Sequence, residues 1–164
     1  MRRRSGALAS GKVVIQDGDT RLVVDMTEYA RVLSDINTAA ESPGEDVLEL
    51  VGEDIVEGIQ EEFETAGHGK WEPLAESTMK SRRGTIAQIL VDTGAMRGSI
   101  DESAIEVSDT SVTVASNVEY QVFHVSDEAR TKIPLRDFYD IQEKYYDLAA
   151  ETLLDGILKE AGFQ

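Results

Sequence analysis

The sequence predicts an α+β fold, an antiparallel sheet of hairpins packed by two or three helices. Three observations predict it. Two pairs of short β-rich runs are each closed by a turn signal, at Asp17-Gly18-Asp19 and at Ser108-Asp109-Thr110. Longer segments carry apolar residues at three- and four-residue spacing. Strand pairs and helices also follow one another in blocks (hairpin, two helices, loop with a short helix, hairpin, terminal helix), which favours antiparallel strands with helices packed on them.

In chain order, Arg2-Arg3-Arg4 through Gly11 reads as a flexible basic arm, and residues 12–164 as a single domain. Lys12–Gln16 and Thr20–Asp25 form the first hairpin. Asp17-Gly18-Asp19 also resembles the opening of a calcium loop, but the later ligands and the closing glutamate are missing, so it is read as a turn. A helix is expected from Thr27 to about Thr38, with Tyr29, Val32, Leu33 and Ile36 on one face, ended by Ser42-Pro43-Gly44. The next helix, about Glu45 to Glu64, aligns Leu48, Val51, Ile55, Ile59 and Phe63 in one stripe. Glu49, Glu53, Glu57, Glu61 and Glu62 fall largely off that stripe and are expected to face water or a partner.

Ala66 to Leu74 is a glycine-rich loop, followed by a short helix from about Glu76 to Arg82, whose C-terminal cations suit the helix dipole. Ala87–Val91 and Gly94–Gly98 suggest a brief segment meeting a turn. Ser103–Val107 and Ser111–Ala115 form the second hairpin, and Val118–Val125 a short helix or extended link. After Ile133-Pro134-Leu135-Arg136, a terminal helix is expected over about Ile141 to Ala161, with Tyr145, Leu148, Leu154, Ile157 and Leu158 on its buried side.

Composition narrows the function. With 164 residues the chain is long enough for a substantial core. It has no cysteine, which excludes disulfides, thiolate metal sites and thiol catalysis. No apolar run has the length of a membrane span, so neither membrane insertion nor secretion is expected. Sixteen Lys plus Arg stand against thirty-two Asp plus Glu, a net charge of −16. Such a surface repels phosphate and argues against sequence-specific nucleic-acid binding. Three readings of the acidity stand: a soluble acidic protein, a wall along which DNA slides without sticking, or adaptation to high salt, where screening shortens the Debye length to ~3 Å.

The candidate chemistry centres on residues 67–100, which hold the only tryptophan and the triplet Asp92-Thr93-Gly94. In Ile89-Leu90-Val91-Asp92-Thr93-Gly94-Ala95 the triplet resembles the active-site segment of retroviral-type aspartic proteases, in which two carboxylates, one from each subunit, share a proton and activate water. Asp92 would then be the catalytic residue of a homodimer. That family is nearly all β and needs a second apolar-apolar-Gly element, for which this chain offers no convincing candidate. Neither histidine, His68 or His124, lies beside a nucleophile elbow or shares close helical spacing with other metal ligands, and no phosphate-binding glycine loop is present. No catalytic residue, metal or cofactor is therefore expected. The alternative is structural: Trp71 anchors its loop to the core, Pro73 fixes the loop before the next helix, and Asp92 caps a short helix starting at Thr93 or Gly94.

A wider pattern carries a second resemblance. It comprises Phe63; Gly69-x-Trp71-x-Pro73-Leu74; Thr78; Arg82-Arg83; Ile89-Leu90-x-Asp92-Thr93-Gly94-x-Met96-x-x-Ser99-Ile100; Asn117-x-x-Tyr120-x-x-x-His124; and Ile133-Pro134-x-Arg136-x-Phe138. In order and spacing, from about Thr27 to the C-terminus, this resembles the phage virion morphogenesis family, the tail-completion and head–tail joining proteins of tailed viruses. The chain departs from the family's pattern where Val125-Ser126-Asp127 follows the Tyr…His pair in place of a glycine, and in its acid-rich, lysine-poor surface.

The resemblance implies a structural virion protein without an active site and with the α+β fold of tail terminators and neck proteins. It implies a homo-oligomeric ring at the head–tail junction, six subunits matching the tail's symmetry, assembled in the host cytoplasm. The implied partners are the tail tube protein and the head–tail connector or neck proteins, with DNA passing through the lumen without specific binding. The motif residues carried over are Trp71, Pro73, Leu74, Asp92, Thr93, Gly94, Tyr120, His124, Pro134 and Arg136. Segments with little use to a lone domain are the expected ring contacts: the arm Arg2, Arg3 and Arg4, the hairpin turn at Asp109, and the loop at Asp127.

Overall fold

The N-terminal β-rich runs pair as the turn signal predicts. In the computed structural model, which describes residues 8–9, 12–17, 20–82, 88–126 and 133–163, β2 (Lys12–Asp17) and β3 (Thr20–Asp25) are antiparallel, with Asp17 opposite Thr20. The turn residues Gly18 and Asp19 lie outside the described residues, as do Arg2, Arg3 and Arg4. Leu8–Ala9, assigned by sequence to the arm, form a short edge strand β1 opposite Lys12 and Val13. Helix α1 (Thr27–Glu41) starts where the Asp25 carboxylate accepts the Thr27 N–H at 3.0 Å, and runs three residues past the predicted end to the Ser-Pro-Gly break. On its apolar face Val32 and Ile36 are half-buried, whereas Tyr29 and Leu33 are exposed.

The chain divides into two compact units, one drawn from Met1–Ser42 and Ile157–Gln164, the other from Pro43–Gly156. The second unit is built on α2 (Glu45–Thr65), and on the expected stripe Leu48, Ile59 and Phe63 are buried while Val51 and Ile55 are half-buried. One flank of α2 packs on the hairpin of β4 (Ile105–Ser108) and β5 (Ser111–Val114), joined by the two-residue turn Asp109-Thr110. Ser103, predicted in the strand, instead sits in a 3₁₀ turn (Glu102–Ala104), because the Asp101 side chain accepts its N–H at 2.9 Å. Another flank of α2 meets α6 (Glu143–Glu160). There Gly58 admits the Tyr145 ring, since a Cβ would stand 2.8 Å from Tyr145 Cγ, and Thr152 donates a hydrogen bond to Asp54 at 2.6 Å. Three short helices complete the set: α3 (Glu76–Ser81), α4 (Ala95–Gly98) and α5 (Val122–Val125), the last preceded by a 3₁₀ turn (Glu119–Gln121).

The α+β class is thus observed: six helices with antiparallel strands, arranged as one three-stranded and one two-stranded sheet among the described residues. No described helix is long and apolar enough to cross a membrane.

Two side-chain expectations are corrected. Glu62 is buried, 2% exposed, and does not face water. Helix α2 is covered on more than one flank, so its buried arc is wider than a single stripe, and the chain reverses over its C-terminus at residues 66–71. In α6 the buried residues are Tyr145 and Ala149, whereas Leu148 and Leu154 are exposed. The face turned inward is the one with small residues, Ala149 and Gly156, which let the helix approach closely; a Cβ on Gly156 would meet Val47 Cγ1 at 2.4 Å. Residues one position away on a helix point about 100° elsewhere.

Candidate functional site

The motif's Trp71 loop lies at the C-terminal end of α2. The helix stops at Ala66, and Ala66, Gly67, His68 and Gly69 all take positive φ angles (54°, 65°, 52° and 78°), which reverses the chain. Only glycine serves at position 67. A Cβ there would lie 2.4 Å from Trp71 Nε1, so the indole rests directly on the Gly67 backbone. Trp71 meets Phe63 edge-on, with ring centres 6.1 Å apart, and Phe63 lies 4.9 Å from Phe138. The predicted anchoring role of Trp71 is what the structure shows. Pro73 is exposed, and Leu74 and Pro134 are half-buried.

Arg136 ties the next segments together. Its guanidinium is buried and donates through Nε and Nη2 to the Glu72 carbonyl at 3.3 and 2.8 Å, while its backbone N–H donates to the His124 carbonyl at 3.0 Å. Burial lowers its pKa from the ordinary value, and the nearby Glu72 carboxylate opposes that shift. One residue thereby fixes the Trp71 loop, α5 and the 133–138 segment against one another.

Asp92 is not a helix cap, which corrects the sequence expectation. Helix α4 begins later, with Gly94 as its N-cap residue at φ 81° and no side chain capping it; Thr93 Oγ1 accepts the Ala95 N–H at 3.4 Å. Displaced from the capping position, the Asp92 carboxylate lies 3.6 Å from Nε of Arg82, a mostly buried side chain. A cleft of about 260 Å³ opens here, lined by Leu74, Arg82, Asp92–Gly94, Tyr120, His124 and Arg136 among others. Leu74, Asp92, Thr93, Gly94, Tyr120, His124 and Arg136 of the motif thus share one cleft although they span more than sixty positions of sequence. Asp109 lies exposed in the β4–β5 turn, and Asp127 falls outside the described residues.

Several ties escaped sequence reasoning. Gln60 donates to the carbonyls of Arg97 and Ile100 and accepts from Arg97 Nε at 2.9 Å, and Arg97 also pairs with Glu64 at 2.6 Å, which staples α4 to α2. Tyr139 bonds Gln121 at 2.8 Å and accepts the Ser116 N–H at 3.1 Å. These are polar side chains acting on backbone groups and on one another, which leave no hydrophobic period to read.

Trp71 also lines a second cavity of about 200 Å³, together with Glu62, Lys70, Leu135, Asp137 and Asp140. Glu62 Oε1 is 3.1 Å from His68 Nε2, but neither atom has a hydrogen-bond partner. Burial raises the Glu62 pKa, with His68 and Lys70 opposing the shift. Its neighbour Glu61 moves the opposite way, lowered chiefly by the hydrogen bond from Lys144, which lies 2.9 Å from Oε1 and 2.7 Å from Oε2. Among the described residues no three His, Asp or Glu side chains are grouped to hold a metal ion. No protein-family profile, curated protein or solved structure matches the chain.

Proposed function

We propose that the chain is a structural virion protein of the head–tail junction, a tail-completion or neck protein with a tail-terminator-like fold. It works as a ring that caps the tail tube and docks it to the connector. The observation that supports this reading is that seven of the ten motif residues line one cleft, while motif residues in and beside it tie segments together. Trp71 packs on Phe63, Arg136 bonds the Glu72 carbonyl, and Asp92 faces Arg82. The aspartic-protease alternative needs Asp92 to share a proton with a second carboxylate, whereas the charged group 3.6 Å from it here is the Arg82 guanidinium. Ring function needs a stiff subunit with repeating interfaces, not a reaction centre. The −16 charge, repeated around the ring, gives a lumen that passes DNA without binding it.

Native mass spectrometry of the full chain, with electron microscopy of the same sample, tests the proposal. The expected result is a closed ring, six subunits being favoured, that is unchanged in subunit number by Asp92→Asn. A dimer with peptidase activity that Asp92→Asn abolishes, or a monomer at all concentrations, overturns it.

A further inference from the structure

Resting on the ring reading, we propose that the cavity beside Trp71 is a socket for an arginine side chain, supplied by the Arg2-Arg3-Arg4 arm of a neighbouring copy. Its lining includes Glu62, a carboxylate 2% exposed whose Oε1 lacks a hydrogen-bond partner. A buried carboxylate without a hydrogen-bonded counter-charge is costly, and such groups are normally paired. His68 Nε2 stands near but out of hydrogen-bond alignment, whereas adjacent Glu61 already has Lys144.

The rest of the lining points to the same ligand. Asp137 and Asp140 add two carboxylates, and the one lysine of the lining, Lys70, is largely exposed and only 4.0 Å from Asp140. The lining thus holds three carboxylates, of which Asp137 accepts the Tyr139 N–H and Asp140 is largely exposed, against one ammonium. Trp71 and Leu135 supply an aromatic and an aliphatic surface. A guanidinium suits this set: it stacks on an indole, donates in a planar fork to carboxylates, and carries an apolar stem.

The donor follows from charge. Copies of a chain with thirty-two acids and sixteen bases repel one another, so association must set scarce cations against carboxylates. Arg2-Arg3-Arg4 is the one run of three consecutive cations in the sequence.

The absence of cysteine from the chain makes the test direct. Arg3→Cys and Asp140→Cys are made separately in full-length chains of different tag length, mixed, and treated with a short bismaleimide. A hetero-crosslinked pair is expected, and the double variant should give a ladder of covalent multimers. Crosslinks confined within single chains overturn the proposal, because they place the arm in its own socket. In parallel, Arg2, Arg3 and Arg4 together changed to Ser, and Glu62→Gln alone, should each weaken assembly about tenfold or more by native mass spectrometry. Thermal melts confirm that each variant is folded. Asp140→Arg combined with Arg2→Glu, Arg3→Glu and Arg4→Glu should restore assembly lost with either reversal alone. If the wild type forms rings and the arm variant forms them equally well, the socket fails while the ring reading stands. If the wild type never assembles, both fail.

Discussion

Arg136 and Glu62 are both charged and both buried in the same unit, yet their surroundings differ. The Arg136 guanidinium makes two hydrogen bonds to one carbonyl 64 residues away, whereas Glu62 Oε1 makes none, with His68 Nε2 3.1 Å away but not aligned for one. A buried charge that is internally bonded is a structural tie. One that is not is a cost the isolated fold carries, and such costs are commonly offset by something outside it. The two cavities, one lined by Arg136 and the other by Glu62, inherit this difference.

The harshest way to break the comparison is to remove what both sides share. Phe63 is fully buried and its ring meets Trp71 and Phe138, which hold the loop between Glu62 and Arg136. Phe63→Ala should cost about 3–5 kcal/mol. Urea unfolding followed by Trp71 fluorescence measures it; a loss under ~1 kcal/mol would mean the aromatic cluster does not hold the loop.

A smaller effect separates the two charges. Arg136→Met keeps much of the apolar stem but leaves the Glu72 carbonyl without its donors, and should cost about 2–3 kcal/mol. Arg136→Lys should recover only part of this, because an ammonium on a flexible stem does not reproduce the two-pronged geometry. Hydrogen exchange should show the loss concentrated at residues 71–74, 124–126 and 133–136. Uniform loosening across α2 and the β4–β5 hairpin would contradict the tie.

Much of this architecture was legible before any coordinates. The β4–β5 hairpin follows from alternation around Ser108-Asp109-Thr110, the α2 core from its stripe, and the Trp71 anchor from the one large aromatic in a glycine loop. What escaped has a common physical cause. Period-based reading assigns a helix one inner face, but α2 is covered on more than one flank, so Glu62 turns inward. In α6, small residues allow a closer approach than leucine does, so Ala149 and Gly156 face inward and Leu148 and Leu154 do not. The left-handed backbone at Ala66 and His68, which folds the loop over Glu62, carries no residue signal beyond the glycines beside it. Asp92 read as a cap because Asp-Thr-Gly is a good capping string, but the left-handed Gly94 starts the helix later and frees the carboxylate for Arg82. Arg136 was legible only through a resemblance, since its partner is a backbone carbonyl.

The smallest effect comes from Glu62 itself, and here sign matters more than size. Its pKa in the fold is raised above the ordinary value of 4.5, first by burial, so the native state holds its proton after the unfolded chain has lost one. Its contribution to stability therefore falls as pH rises from about that ordinary value through the raised one. Neighbouring Glu61 runs the other way. Its pKa is lowered first by the Lys144 hydrogen bond, so its contribution is present above the ordinary value and is lost as pH falls through the lowered one. Glu62→Gln should flatten the decline above 4.5 and leave the acid limb, carried by Glu61, unchanged. In the isolated subunit it should be neutral or mildly stabilising at pH 7, by less than ~2 kcal/mol, unlike any change at Arg136. Denaturant melts across pH 4 to 8, with carboxyl NMR titration of the two glutamates, read this directly. If Glu62→Gln destabilises the isolated subunit at neutral pH, the carboxylate is an internal tie like Arg136, and the contrast between the two cavities dissolves.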